Sequence, residues 1–235
     1  VYAPVFSPDG AHVAAEVRLD ICDYTVAQDG EPWASRFGCV WEPCYRTGGG
    51  GLLAPVRKDG AWTLAENGEP IWKGAYVQLW RQVVSPDGKH IAAVVAPSFG
   101  RWTVAVDDRP WGLTFGDMVV RPIFSPDGAR VAVVVKDKNR WTVAVDGRPW
   151  SETFPMVWDP VFSPDGKLVA AMTYRGSRAF PAERGATVMR ETVEAPEMEK
   201  VAAELMGSIG WHGVAELDFR WEGTPEARPQ LIEVN

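Results

Sequence analysis

The chain has 235 residues, 46% of them hydrophobic and 23% charged, enough for one large domain or two small ones and too apolar for a disordered acidic chain. A formal net charge of -7 leaves no basic excess to release counterions, which argues against nucleic acid as a partner. No apolar run reaches the ~20 residues that span a bilayer, so no direct membrane insertion is expected.

A repeat organises the chain from its first residues. Ser-Pro-Asp-Gly stands at Ser7–Gly10, Ser85–Gly88, Ser125–Gly128 and Ser163–Gly166, at spacings of 78, 40 and 38. The first spacing is twice 39, and the missing copy reads Arg46-Thr47-Gly48-Gly49, a degenerate turn. Trp33, Trp72, Trp111 and Trp150 follow 39 apart. An aromatic–Thr pair recurs at Tyr24-Thr25, Trp62-Thr63, Trp102-Thr103 and Trp141-Thr142. A third column runs Tyr2, Trp41, Trp80, Val120, Trp158. Together these columns hold all ten Trp residues before position 178. They predict repeats over 1–39, 40–78, 79–117 and 118–156, and a partial one over 157–177.

Each repeat reads as four strands. The first is a segment such as Pro160-Val161-Phe162, ended by Ser-Pro-Asp-Gly, where Pro presets φ and Gly takes the last turn position. The second is a run such as Arg130–Val135. The third, Trp141–Val145, closes on Asp146-Gly147, a two-residue hairpin signal. The fourth begins near Pro149-Trp150. Four short strands in ~40 residues is the blade arithmetic of a β-propeller. The expected fold is mainly β: a partial β-propeller of about 4.5 four-stranded blades, ~39 residues each, followed by a small α+β segment. The fifth repeat supplies only two strands, so the expectation is part of a larger propeller, or a ring completed from elsewhere.

The recurring Trp residues are expected to seal one blade against the next. The alternative is an exposed aromatic surface for a partner or an electron path. Asp9, Asp87, Asp127 and Asp165 are expected to bond their own turns rather than to catalyse. His12 and His90 share a column with Arg130 and Leu168, which suggests a surface position rather than a metal ligand. Gly48–Gly51 lacks the Gly-Lys-Ser/Thr of a phosphate loop and reads as a flexible replacement for one turn. Cys22, Cys39 and Cys44 form no haem or cluster motif and are expected to be partly buried thiols in a reducing compartment. The repeats offer no catalytic constellation.

The Phe-Ser-Pro-Asp-Gly hairpin resembles the WD40-like, or PD40-type, propeller repeat. The denser pattern, Pro-Val-Phe-Ser-Pro-Asp-Gly and then Trp-Thr-Val-Ala-Val-Asp-Gly-Arg-Pro-Trp, covers about residues 1–177. It resembles the tryptophan-rich, cofactor-free subunit of the transmembrane tetrahaem-cytochrome redox complex of sulfate-reducing bacteria. That resemblance implies a non-catalytic, cytoplasmic interaction subunit, peripheral to the inner membrane through its partners. Those partners would be the other protein subunits of the redox complex.

After about Arg178 the composition changes. Residues 178–235 hold 11 acidic and 6 basic side chains. Ala195-Pro196-Glu197 opens a helix, with Met198, Val201, Ala202, Leu205, Met206 and Ile209 at helical spacing and Gly210 as its stop. Strands are expected over Val214–Trp221 and Gln230–Val234. Residues i and i+2 of a strand share a face, so Glu233 and Asn235 could meet one cation, with Asp218 joining from the neighbouring strand.

Gly-Trp-His-Gly-Val-Ala-Glu-Leu-Asp-Phe followed by Pro-Gln-Leu-Ile-Glu-Val-Asn resembles the C-terminal part of an ATP-grasp ligase of the carboxylate–amine kind. The resemblance covers about residues 178–235. It implies Asp218, Glu233 and Asn235 as ligands of Mg²⁺ on ATP, with Arg190 facing phosphate or substrate. The family's earlier nucleotide-holding segments are replaced here by propeller repeats, so the implied cleft is half present.

Overall fold

The computed structural model describes residues 1–48, 51–174, 200, 203–204, 217–220 and 230–234. Two units are distinguished, Val1–Gly176 and Ser177–Asn235.

The first unit is a partial β-propeller, an array of antiparallel sheets in chain order. The first blade is β1 (Tyr2–Phe6), β2 (Val13–Asp20), β3 (Asp23–Gln28) and β4 (Glu31–Pro32), paired in that order. The second comprises β5 (Cys39–Val40), β6 (Cys44–Tyr45), β7 (Leu52–Lys58), β8 (Ala61–Glu66) and β9 (Glu69–Pro70). The third is β10 (Gln78–Val84), β11 (Ile91–Ser98), β12 (Arg101–Val106) and β13 (Arg109–Pro110). The fourth holds β14 (Met118–Val119), β15 (Ile123–Phe124), β16 (Val131–Asp137), β17 (Arg140–Val145) and β18 (Arg148–Pro149). In the fifth repeat β19 (Met156–Val157) pairs with β22 (Thr173–Tyr174), and β20 (Val161–Phe162) with β21 (Val169–Ala170).

Two strands differ from the expected pattern. The first strand of a blade extends further upstream and is interrupted in the second, fourth and fifth repeats. β14 and β15 pair the same neighbour on either side of Val120-Arg121-Pro122, where Pro has no N–H for the ladder. In the first blade the strand runs through Pro4 with a bulge, Ala3 standing at φ 46°. In the third blade Gln82 stands in place of that Pro. There the strand is continuous but bulged, with Arg81 at φ 53°. The fourth strand is two residues long, Arg148–Pro149 in the fourth blade. The chain then leaves the sheet through Trp150 and returns at Phe154 to bridge Trp141.

The core lies between blades rather than within them. Successive residues of a strand point to opposite faces. On β11, Ile91, Ala93 and Val95 face the second blade, while Ala92 and Val94 face the fourth. On β16, Val131, Val133 and Val135 face the third blade, and Ala132 and Val134 the fifth repeat. Each junction has its own apolar layer, so stability grows blade by blade.

Trp33, Trp72, Trp111 and Trp150 each join the layer toward the following blade, as do Tyr24, Trp62, Trp102 and Trp141. The Thr beside each of the latter is buried, apart from half-buried Thr63, and its hydroxyl donates to the loop that follows. Thr63 reaches Trp72 O at 2.9 Å and Thr103 reaches Leu113 O at 2.7 Å. Glycines complete the seal. A Cβ on Gly68 would stand 3.2 Å from Trp33, and one on Gly147 3.2 Å from Trp111, so each Trp side chain packs closely against the next blade's hairpin.

In the second unit β23 (Leu217–Arg220) and β24 (Gln230–Val234) pair antiparallel. Of the helix expected over 195–209, only Lys200, Ala203 and Glu204 are described, and they are helical.

Candidate functional site

At one end of the first unit the Ser-Pro-Asp-Gly turns form a repeated hydrogen-bonded cage. Ser85 Oγ donates to Asp87 Oδ1 at 2.6 Å, the Lys89 N–H donates to the same oxygen, and the His90 N–H donates to Ser85 Oγ. The turns at Ser7, Ser125 and Ser163 repeat this pattern. The Ser85 hydroxyl first, then the Lys89 N–H, holds the Asp87 carboxyl down at about 2. Asp9, Asp127 and Asp165 are lowered by their own turn serines in the same way. These carboxylates are turn anchors, as expected from the sequence.

The His column is half exposed and carries a recurring pair. His12 Nδ1 lies 2.6 Å from Asp29 Oδ2, His90 Nδ1 lies 2.6 Å from Asp107 Oδ2, and Arg130 Nε lies 3.0 Å from Asp146 Oδ2. The acid in each case belongs to the hairpin turn after the third strand. Its other oxygen accepts a backbone N–H, as Asp107 Oδ1 does from Ile91. Among the described residues no three His, Cys, Asp or Glu side chains gather as a metal site.

The opposite end is aromatic. Trp41 and Trp62 meet edge to face with centroids 6.5 Å apart, and Trp80 and Trp102 tilt together at 4.9 Å. A groove of about 370 Å³ opens between the second and third blades, lined by Trp41, Glu42, Trp62, Gln78, Trp80 and Arg81. Trp41 is 48% exposed, and Trp158 in the same column is also half exposed. Met118 and Met156 occupy the strand position of Gln78 in later repeats and are exposed. This corrects the expectation that every Trp column is sealed. The third column is not uniform: Trp80 and Val120 pack on the layer toward the following blade, whereas Trp41 and Trp158 stay half exposed. The surface so formed offers flat apolar contact beside an exposed guanidinium, features enriched at protein interfaces.

Cys22 departs from expectation too. It is exposed, at φ 58° in the hairpin between β2 and β3, whereas Cys39 and Cys44 are half-buried. Burial pushes the Cys39 and Cys44 thiols up.

In the second unit the register places Asp218 directly opposite Glu233. Arg190 and Asn235 lie outside the described residues. The structure thus brings together the backbone positions of two of the four residues implied by the ATP-grasp resemblance.

Two polar contacts were not evident in the sequence. Arg46, in the serine column of the degenerate turn, pairs Glu66 through Nε at 2.5 Å and Nη2 at 3.1 Å. Its Nη1 donates to Gly88 O of the next turn. Asp108 stands where other hairpins carry Gly and reaches into the second blade. The signal for both was present as a charged residue breaking its column.

No family model and no curated protein matches the chain. Among solved structures it is similar to TolB from Acinetobacter baumannii, with 22% identity and a TM-score of 0.45 over 64% of this chain and 43% of that one. It is similar also to a Mycobacterium tuberculosis puromycin-hydrolyzing peptidase, with 17% identity and a TM-score of 0.41 over 64% of this chain and 30% of that one. A third is Kuenenia stuttgartiensis hydrazine synthase, at 18% identity and a TM-score of 0.36 over 72% and 54%. The chain spans less than half the length of the TolB structure. No helix among the described residues is long and apolar enough to cross a membrane.

Proposed function

We propose that this chain is a non-catalytic β-propeller interaction module. The observation that carries this reading is the aromatic groove beside exposed Arg81, where half-exposed Trp41 stands with the partly buried Trp62 and Trp80. Its continuation is the exposed row of Met118, Met156 and Trp158. The Asp and His side chains of the opposite end are engaged in holding turns, so the free chemistry is contact rather than proton transfer.

In its finer form the module is an accessory subunit of a membrane electron-transfer complex. It sits on the cytoplasmic side, carries no redox centre and binds other protein subunits. The resemblance of the repeat supports this form. The test is co-expression with the cytochrome-bearing subunits of such a complex. Stoichiometric co-purification is expected, and Trp41→Ala with Arg81→Ala should weaken it at least about tenfold, as hot-spot removal does. No co-purification, or none of this sensitivity, sinks the proposal.

A second reading concerns the 178–235 segment and rests on the Asp218–Glu233 register. Two carboxylate-bearing residues at one register position fit the oxygen preference of Mg²⁺. Bound there with ATP, the ion would offset phosphate charge in a carboxylate–amine ligation. Calorimetric Mg-ATP binding that vanishes in Glu233→Gln supports this reading. A flat titration removes it and leaves the propeller reading standing.

A further inference from the structure

Two adjacent repeats place opposite charges behind the same aromatic column. Trp41-Glu42 in the second blade and Trp80-Arg81 in the third occupy matching positions, and the charged position reads Ala3, Arg121 and Asp159 in the other repeats. The junction of the second and third blades is therefore where two indoles of that column meet an acid and a base together. All four line the groove of about 370 Å³, with Trp62 edge to face on Trp41 and with buried Leu79.

The acid is held from both sides. Glu16 Oε1 of the first blade accepts the Glu42 N–H at 2.7 Å, and buried Gln82 of the third blade donates from Nε2 to Glu42 O at 2.5 Å. Gln82 stands where the other repeats carry Pro4, Pro43, Pro122 and Pro160, none of which could make this bond. The segment that carries Trp41 and Glu42 is thus ordered before a ligand arrives, which lowers the cost of binding. Among the described residues, neither the Glu42 carboxylate nor the Arg81 guanidinium is engaged in an ion pair.

This set of side chains has a definite complement. Indole faces attract weakly hydrated cations, and several such faces together are a recurring mode of binding methylated and quaternary ammonium groups. A carboxylate beside the rings adds to that attraction. A bare cation would be repelled by Arg81, whose guanidinium instead matches a carboxylate on the same ligand. The groove's volume falls within the range of small-molecule sites, about 300–1,000 Å³.

We propose that the groove binds a small zwitterion carrying a methylated ammonium group and a carboxylate. The ammonium lies against the Trp41 and Trp80 rings near Glu42, and the carboxylate points toward Arg81. This inference shares the groove of the proposed function and rests on its being a recognition surface, but it does not rest on any protein partner.

The test is isothermal titration calorimetry of the 235-residue chain with glycine betaine, and saturable one-to-one binding is expected. The tert-butylacetate anion, which replaces the quaternary nitrogen by carbon, should bind at least about fivefold more weakly, the worth of one cation–π contact. Trp41→Ala should weaken glycine betaine by a similar factor. Arg81→Gln should weaken glycine betaine and strengthen choline, because the carboxylate loses its partner and the bare cation loses its repulsion. Glu42→Gln should weaken both ligands. Circular dichroism confirms the fold of each variant. No saturation up to about 10 mM overturns the proposal, since that is weaker than any specific site of this kind. Equal binding of the isostere overturns it as well, and so does an Arg81→Gln variant that weakens both ligands alike. The titration contains no partner protein, so its failure leaves the co-purification test of the proposed function standing, and a failed co-purification leaves the titration to decide this site.

Discussion

Gly74 in the second blade and Asp108 in the third are joined across their junction, the Gly74 N–H lying 3.1 Å from both carboxylate oxygens. The same carboxylate accepts the Lys73 N–H at 2.7 Å and the Tyr76 hydroxyl at 3.2 Å. A Cβ at Gly74 would fall 2.5 Å from the Tyr76 ring and 2.6 Å from Asp108, so no larger residue fits without displacing both. Asp108→Ala leaves these donors unpaired and is expected to cost about 1–3 kcal/mol. Gly74→Ala should cost a similar ~1–3 kcal/mol through overpacking. Urea denaturation midpoints measure both, and an unchanged midpoint in either would remove this contact from the account of stability.

Tyr76 makes the same junction sensitive to alkali. Burial, then the Asp108 charge, raises its hydroxyl well above the ordinary value of about 10. The unfolded chain then loses this proton first. Stability is expected to be complete below pH ~10 and to fall as pH rises beyond it. Tyr76→Phe should flatten that fall, which chemical denaturation at successive pH values can show.

Acid acts with the opposite sign. The Asp87 carboxyl is held at about 2 by Ser85 and Lys89, below the ordinary carboxylate value of about 3.9. Its stabilising contribution is present above pH ~4 and is lost as pH falls toward the folded value. Asp87→Asn should reduce the slope of stability against pH in that window and leave the slope near neutrality unchanged.

Two tryptophans separate packing from display. Trp72 is 6% exposed inside the layer between the second and third blades, and Trp72→Ala is expected to cost ~3–5 kcal/mol. Trp41, half exposed at the groove, should cost below ~1 kcal/mol when replaced by Ala. Equal losses at the two positions would contradict the division between sealed and displayed columns.

Arg46 and Glu66 form a two-pronged pair that is about four-fifths buried. It ties the degenerate turn to the third strand of its own blade. A double-mutant cycle of Arg46→Met and Glu66→Gln is expected to return a coupling of about 1–2 kcal/mol, between the values of exposed and fully buried pairs. A coupling near zero would mean that the Arg46 bond to Gly88 O does the bracing instead.

The turns were legible because their chemistry is local. Ser85, Asp87 and His90 lie within six positions, and the cage they form depends on little beyond them. Asp146-Gly147 announces a tight hairpin, and both residues do adopt positive φ, 51° and 78°. The broken first strand was only partly legible. Pro122 and Pro160 mark the interruption, but the pairing of Met118 and Met156 upstream of it depends on β16 and β22. Of the groove, the Trp columns were visible and their exposure was not, since Trp41 and Trp72 look alike in a sequence.

What the sequence by itself determined is the period, the blade, and the turn and hairpin at each blade's ends, all set by residues within a few positions of one another. Only the tertiary structure decided which column is covered and that Asp108 reaches Gly74 some 34 residues away. The physical reason is that a strand has two faces of equal standing in sequence. Whether each meets water or a neighbour is settled only when the next blade stacks against it.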